Sequence, residues 1–226
     1  MKIYGDLLSG NCLKAKYTAE YLHIPYTWAP IDILAGESRT EAFLAINPAG
    51  QVPVLELDDG RLLSQSNAII QYLAEGSPLL PSDPYPRGQV NEMLFWEQYS
   101  HEPYIAVCRF AMLYLGKAAA EREDWRVQRG EAALDYMDGL LAHRRWLAAD
   151  QFSVADISLL AYTRLAPKAD SRFKRGPMWW NGSTVAKRNR AWRVDRALLD
   201  RVHPQDLVSS FETSGLYQIA CSGSYR

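Results

Sequence analysis

Ser9, Gly10, Asn11 and Cys12 stand between a short apolar run, residues 2–5, and the first helical pattern of the chain. Backbone N–H groups at a helix start, together with the helix dipole, stabilise an anion placed there. A hydroxyl at the same spot can donate to a thiolate and hold the thiol pKa down, so Ser9 suits a site that activates a thiol. It suits equally an ordinary helix cap. Cys12 has its own two readings. A thiol at a helix start can be a nucleophile with a lowered pKa. Cys12 lies one helical turn beyond Ser9, however, and that spacing favours packing against the sheet.

Three further segments carry polar groups that suit an extended peptide ligand. Gln51-Val52-Pro53 opens a strand, where the Val52 backbone can pair with an added strand and Pro53 suits an edge or a cis bond. Gln65-Ser66 precedes a helix, with Ser66 as its natural cap and a second anion site at the helix start. Arg39, beside Ser38 on a loop, can meet a carboxylate. Taken singly, each also fits a bland role as edge proline, cap or solvated arginine.

The elements that must hold these residues follow from period and punctuation. Residues 2–5 read as a strand. A helix starts at Asn11 or Cys12 and ends at His23-Ile24-Pro25; residues 26–31 form a second strand. Thr40 to Ile46 is a short helix closed by Asn47-Pro48-Ala49-Gly50. Val52 to Leu57 and Arg61 to Leu63 are strands joined by an Asp59-Gly60 turn, and a helix runs from Ser66 to about Ala74. The order is βαβαββα. Residues 77–86 form a proline-rich linker. Helical patterns follow over Arg87–Tyr114, kinked at Pro103, over Glu123 to Ala142, and over Ser153–Leu165, where Ser153 and Asp156 form a capping box and Phe152 is placed to staple onto Ile157.

Composition limits the function classes. The 226-residue chain is 48% hydrophobic with a net charge of −1, enough apolar content for a packed core and no general affinity for nucleic acid. No apolar run suits a membrane span, and the N-terminus lacks a signal peptide's apolar core, so a soluble cytoplasmic protein is expected. Three cysteines without a CxxC or Cys/His pattern indicate neither a disulfide framework nor a metal site.

Leu8-Ser9-Gly10-Asn11-Cys12, Asn47-Pro48-Ala49-Gly50-Gln51-Val52-Pro53-Val54-Leu55, Leu63-Ser64-Gln65-Ser66-Asn67-Ala68-Ile69 and Phe152-Ser153-Val154-Ala155-Asp156-Ile157 resemble, in order and spacing, the soluble glutathione S-transferases over residues 1–167. Tyr99 to Tyr104 and Val107 to Phe110 are similar to the bacterial, theta-like, serine-dependent branch. The resemblance implies a thioredoxin-like glutathione-binding domain over residues 1–76, an all-helical domain over 87–167, a homodimer, and a role in detoxification. It implies glutathione as co-substrate, without a metal, and a small hydrophobic electrophile or a peroxide as second substrate. Ser9 would then stabilise the glutathione thiolate and Asn11 assist it. Val52 would pair with the cysteinyl backbone beside cis Pro53, Gln65 and Ser66 hold the γ-glutamyl end, and Arg39 or Gln51 meet the glycyl carboxylate. Tyr99, Tyr104 and Arg109 would line the electrophile pocket. Ser38 stands where the theta-like branch has histidine. Two other functions fit the same residues: thiol–disulfide chemistry at Cys12, and non-catalytic glutathione binding.

After Pro167 the resemblance stops. Residues 1–167 hold 14 basic and 21 acidic side chains, residues 168–226 hold 11 and 5. Joining the third base of each codon to the first two of the next makes residues 168–184 compatible with GGFSLQAWPHVVEWLDR. Trp179-Trp180-Asn181 has little codon freedom and yields VVE. Residues 186–191 can continue as EAEPG. These are segments the resemblance places there, so a one-nucleotide shift near codon 168 accounts for the charge change and implies an out-of-frame, poorly ordered tail over 168–226. The rival is a nucleic-acid- or membrane-binding extension carried by Lys187, Arg188, Arg190, Arg193 and Arg196, with Trp192 stacking on a base.

Overall fold

The structure is a computed structural model that describes residues 1–164 apart from 119, 120 and 122. The expectations for residues 165–226, including the tail and its reading frame, lie outside the described residues.

Strand β1 (Lys2–Gly5) leads through α1 (Gly10–Tyr21) to β2 (Thr27–Pro30), which pairs with β1 in parallel. A 3₁₀ turn (Glu37–Arg39) and α2 (Glu41–Ile46) precede the hairpin of β3 (Val54–Glu56) and β4 (Leu62–Ser64). Because β3 pairs antiparallel with β1, the four strands lie in the order β2-β1-β3-β4. Helix α3 (Ser66–Ala74) then returns beside α1. This mixed sheet with its helices is a thioredoxin-like domain. Its core is Ile3 and Leu55 from the central strands, with Ala15 and Ala19 of α1 and Ile69 and Leu73 of α3. The small alanines let α1 lie close to the sheet, so its N-terminus is set rigidly at the end of β1.

Helix α4 (Pro84–Trp96), a π turn (Glu97–His101), α5 (Glu102–Leu113), α6 (Asp124–Leu141) and α7 (Val154–Thr163) form the helical part. All ten residues of α7 are buried, and the helix packs against α1 and α4. Its start is the capping box expected from the sequence: the Asp156 carboxylate accepts from the Ser153 N–H at 3.0 Å. Its other oxygen accepts from the Leu147 N–H at 3.0 Å, which ties the preceding loop down.

Several boundaries differ from the sequence reading: β3 starts at Val54 rather than Val52, so Gln51-Val52-Pro53 precedes the strand instead of opening it. Ser66 is the first helical residue of α3 rather than its cap; Gln65 precedes the helix at φ 71°. Helix α4 starts at Pro84, inside the expected linker, because Asp83 caps it and proline at the first helical positions lacks only an N–H that would have no partner there. The long pattern over 87–114 is two helices. Pro103 cannot donate to the carbonyl four residues back, and the π turn interrupts the ladder immediately before it.

Candidate functional site

A cleft of about 740 Å³ opens where the β1–α1 turn, the loop before β3 and the start of α3 converge. Ser9, Asn11, Arg39, Gln51, Val52, Pro53, Gln65 and Ser66 all line it, although they come from four separate segments. Ser9 caps α1 by accepting from the Cys12 N–H at 3.4 Å. The Val52–Pro53 bond is cis, and Pro53 is buried. Arg39 is exposed and donates to the Ala49 carbonyl at 3.1 Å, while Asn47 holds the Gln51 carbonyl at 2.7 Å. Gly50 sits at φ 60°, and a Cβ there would meet the Arg39 guanidinium at 2.5 Å. Glycine therefore allows the loop before β3 to close over that side chain.

Asn11 is fixed from three sides. Its Nδ2 donates to Glu102 at 2.8 Å, its Oδ1 accepts from the Ser66 hydroxyl at 2.8 Å, and its backbone N–H donates to the Tyr162 hydroxyl at 3.2 Å. The Tyr162 ring lies so close to α1 that a Cβ on Gly10 would stand 2.5 Å from it. The amide of Asn11 thus joins the start of α1, the start of α3 and the first turn of α5.

Behind Asn11 lies a buried charge cluster. Lys14 and Glu97 are fully buried and pair at 2.8 Å, with Glu102 at 3.6 Å from the same ammonium. Asn67 and Ser158 donate to the same Glu97 oxygen. Burial pushes the Glu97 carboxyl up, but Lys14, His101 and the hydrogen bonds outweigh it and hold the group below the usual carboxylate range. Glu102 shifts the opposite way, up, through burial and the neighbouring Glu97. His101 is pushed down to about 4 by burial and is neutral near pH 7. Its Nε2 meets the Thr163 hydroxyl at 2.8 Å.

A second, mainly apolar cavity of about 200 Å³ adjoins Ser9 and Gly10, walled by Ile33, Ala106, Val107 and Phe110. Arg109 lines it and is buried; its Nη1 donates to the Leu8 carbonyl at 2.6 Å, beside Ser9. Tyr99 and Tyr104 line neither cavity. Tyr99 is 80% exposed, and Tyr104 packs edge-on against Trp125 and accepts from Arg129 at 3.0 Å. The bend at the π turn rotates Tyr99 away from the cleft, and Tyr104 falls on the face of α5 turned to α6. In their place Phe110, Tyr114 and Tyr162 supply aromatic wall.

Cys12 is fully buried, and its Sγ accepts from the Asp6 N–H at 3.4 Å. Burial pushes its thiol up to about 12, the reverse of an activated nucleophile. Lys14, Glu97, Glu102 and Tyr162 escaped the sequence reading. Glu102 lies inside the stretch already singled out for Tyr99 and Tyr104, and its acidic type beside a proline at a helix start was the one available signal. Among the described residues no group of three or more His, Cys, Asp or Glu could hold a metal ion, and no helix is long and apolar enough to cross a membrane.

Comparison with known proteins bears on the same segments. Residues 8–75 match the family of glutathione S-transferase N-terminal domains. A glutathione S-transferase of Arabidopsis thaliana, PM239X14, is 30% identical over 199 residues, covering 81% of this chain and 91% of that protein. A maleylacetoacetate isomerase of Rhizobium meliloti is 32% identical, covering 79% and 84%. The crystal structure of a glutathione S-transferase from Pseudomonas fluorescens superposes with a TM-score of 0.73 at 49% identity, over 78% of this chain and 89% of that one. With the matched residues forming the cleft around Ser9 and the same topology around it, this chain belongs to the glutathione S-transferase family.

Proposed function

We propose that the protein binds glutathione in the 740 Å³ cleft and joins it through its sulfur to a small electrophile, or reduces a peroxide with it, held in the adjoining apolar cavity. The observation that carries this is the convergence on one cleft of the residues singled out for a thiol peptide. Ser9, at the start of α1, stabilises the thiolate through its hydroxyl proton, while its oxygen accepts from the Cys12 N–H. Asn11, held by Glu102 and Ser66, orients a polar contact beside it. The backbone at Val52, which lines the cleft, pairs with the extended peptide. Gln65 and Ser66 hold one carboxylate at the start of α3, and Arg39 or Gln51 the other. This arrangement supports the serine-dependent branch. Thiolate attacks the electrophilic carbon, the leaving group departs with the bonding pair, and the thiol proton goes to solvent.

Activity with 1-chloro-2,4-dinitrobenzene, compared among the unaltered protein, Ser9→Ala and Cys12→Ala, tests the reading. Loss in Ser9→Ala with retention in Cys12→Ala is expected. Loss in Cys12→Ala alone would transfer the chemistry to the thiol. Retained binding to immobilised glutathione with no turnover of electrophile or peroxide would leave a binding protein. The exposed Tyr72 on α3, Phe95 on α4 and Tyr99 beside it support a homodimer, which light scattering on a sizing column checks. The codon argument supports a shift near codon 168; a gene sequence encoding GGFSLQAW in frame would place it in the present reading of the gene rather than in the protein.

A further inference from the structure

Arg109 is 5% exposed, yet no described carboxylate pairs with it. Nη1 donates to the Leu8 carbonyl and Nε has no hydrogen-bond partner. Asp6 attracts it without forming an ion pair, and the Asp6 oxygens are taken by the Leu8 N–H and the Tyr114 hydroxyl. A buried charge without a partner is costly, and an anion that reaches it recovers that cost. The residue lines the 200 Å³ cavity beside Ser9, whose other walls are mostly apolar. Glu102 is the other charged residue there. Its oxygens are engaged by Asn11 and Gln98, and it shares Lys14, at 3.6 Å, with Glu97.

We propose that Arg109 makes this cavity a site for acidic electrophiles: small, largely apolar molecules, about one substituted ring in size, that carry a carboxylate away from the carbon attacked by sulfur. This inference rests on the glutathione reading above. The apolar walls hold the ring, Ser9 holds the thiolate at one side, and the guanidinium takes the carboxylate through a charge-assisted hydrogen bond. Such a bond discriminates more strongly than apolar contact, because a neutral analogue leaves the buried cation unpaired. For 4-chloro-3-nitrobenzoate, the thiolate sulfur forms the bond to C4, the C4–Cl bond breaks, chloride leaves with its pair and the thiol proton passes to solvent.

The test uses binding as well as turnover. Calorimetry compares S-(4-carboxy-2-nitrophenyl)glutathione with its 4-carbamoyl analogue, and kinetics compare 4-chloro-3-nitrobenzoate with 4-chloro-3-nitrobenzamide. The carboxylate member of each pair is expected to be favoured about tenfold or more, the size of one charge-assisted hydrogen bond. Arg109→Gln should bring that ratio close to one and Arg109→Lys should keep part of it. Arg109 also braces the Leu8 carbonyl, and loss of that brace alone would weaken both members of a pair equally. An unchanged ratio in Arg109→Gln, or a ratio near one in the unaltered protein, would overturn the inference, and the second outcome needs no variant to fold. Failure of glutathione itself to bind would instead overturn the parent reading.

Discussion

Replacing Lys14 by methionine isolates what the buried charge cluster contributes. Lys14 and Glu97 are both fully buried and 2.8 Å apart. Methionine matches the aliphatic stem closely, so the change removes the ammonium with little loss of packing. Glu97 is then a buried carboxylate whose remaining donors are amides and a hydroxyl from Asn67, Gln98 and Ser158, with Oε1 already unpartnered. Breaking a buried pair from one side costs about 3–5 kcal/mol. In a chain of this size that lowers Tm by roughly 10 °C. Adding Glu97→Gln removes the stranded charge and keeps a group able to serve those partners, so the double variant should regain more than half of the loss. The sign of the pH dependence adds a second signature. In Lys14→Met the Glu97 carboxyl is raised above its unfolded value, so protonation in the folded state offsets the penalty at low pH. The penalty is therefore largest near neutrality and shrinks toward pH 5. Urea unfolding followed by circular dichroism, at pH 7 and pH 5, measures both effects. A Lys14→Met cost below about 1 kcal/mol, or strict additivity with Glu97→Gln, would refute the view that the two charges depend on each other.

Glu102→Leu frees the Asn11 amide and should lower kcat/KM for glutathione roughly tenfold, the worth of one hydrogen bond to a charged group, while Glu102→Gln keeps an acceptor and retains most activity; equal losses would mean the charge, not the hold on Asn11, matters. Native Cys12, buried with its thiol pushed to about 12, should react with iodoacetamide at pH 8 only after unfolding, and mass spectrometry of the labelled peptide reads this directly. His101 has a folded pKa of about 4 against an ordinary 6.5, so the unfolded chain takes up its proton first. Its contribution is present above pH 6.5 and is lost as pH falls toward 4, by roughly 3 kcal/mol; His101→Gln should flatten that part of the stability profile measured by urea unfolding.

Much of the framework was legible in the sequence because the signals are local. Ser9 and Ser153 cap their helices by bonds to N–H groups two or three residues on, an interaction written within one helical turn. The polar segments around Ser9, Val52 and Ser66 carried their chemistry in residue type and spacing, and the topology brought them to one cleft. Other features rest on contacts between residues far apart in the chain. Nothing local in the sequence marks Lys14 and Glu97 as buried; α1, α3 and α7 enclose them, and neither is tolerable in the core without the other. Tyr99 and Tyr104 share a stretch with Glu102, but the helical phase set by the π turn decides that Glu102 faces the cleft and the two tyrosines do not. Ser66 became a bridge to Asn11 instead of a cap, since the closest acceptor for its hydroxyl is on another helix. The sequence by itself determined which groups could hold a thiolate and in what order they occur. Tertiary structure alone decided which charges are buried, which side chains meet the cleft and how deeply Cys12 lies, because burial and helical phase depend on what packs against each residue.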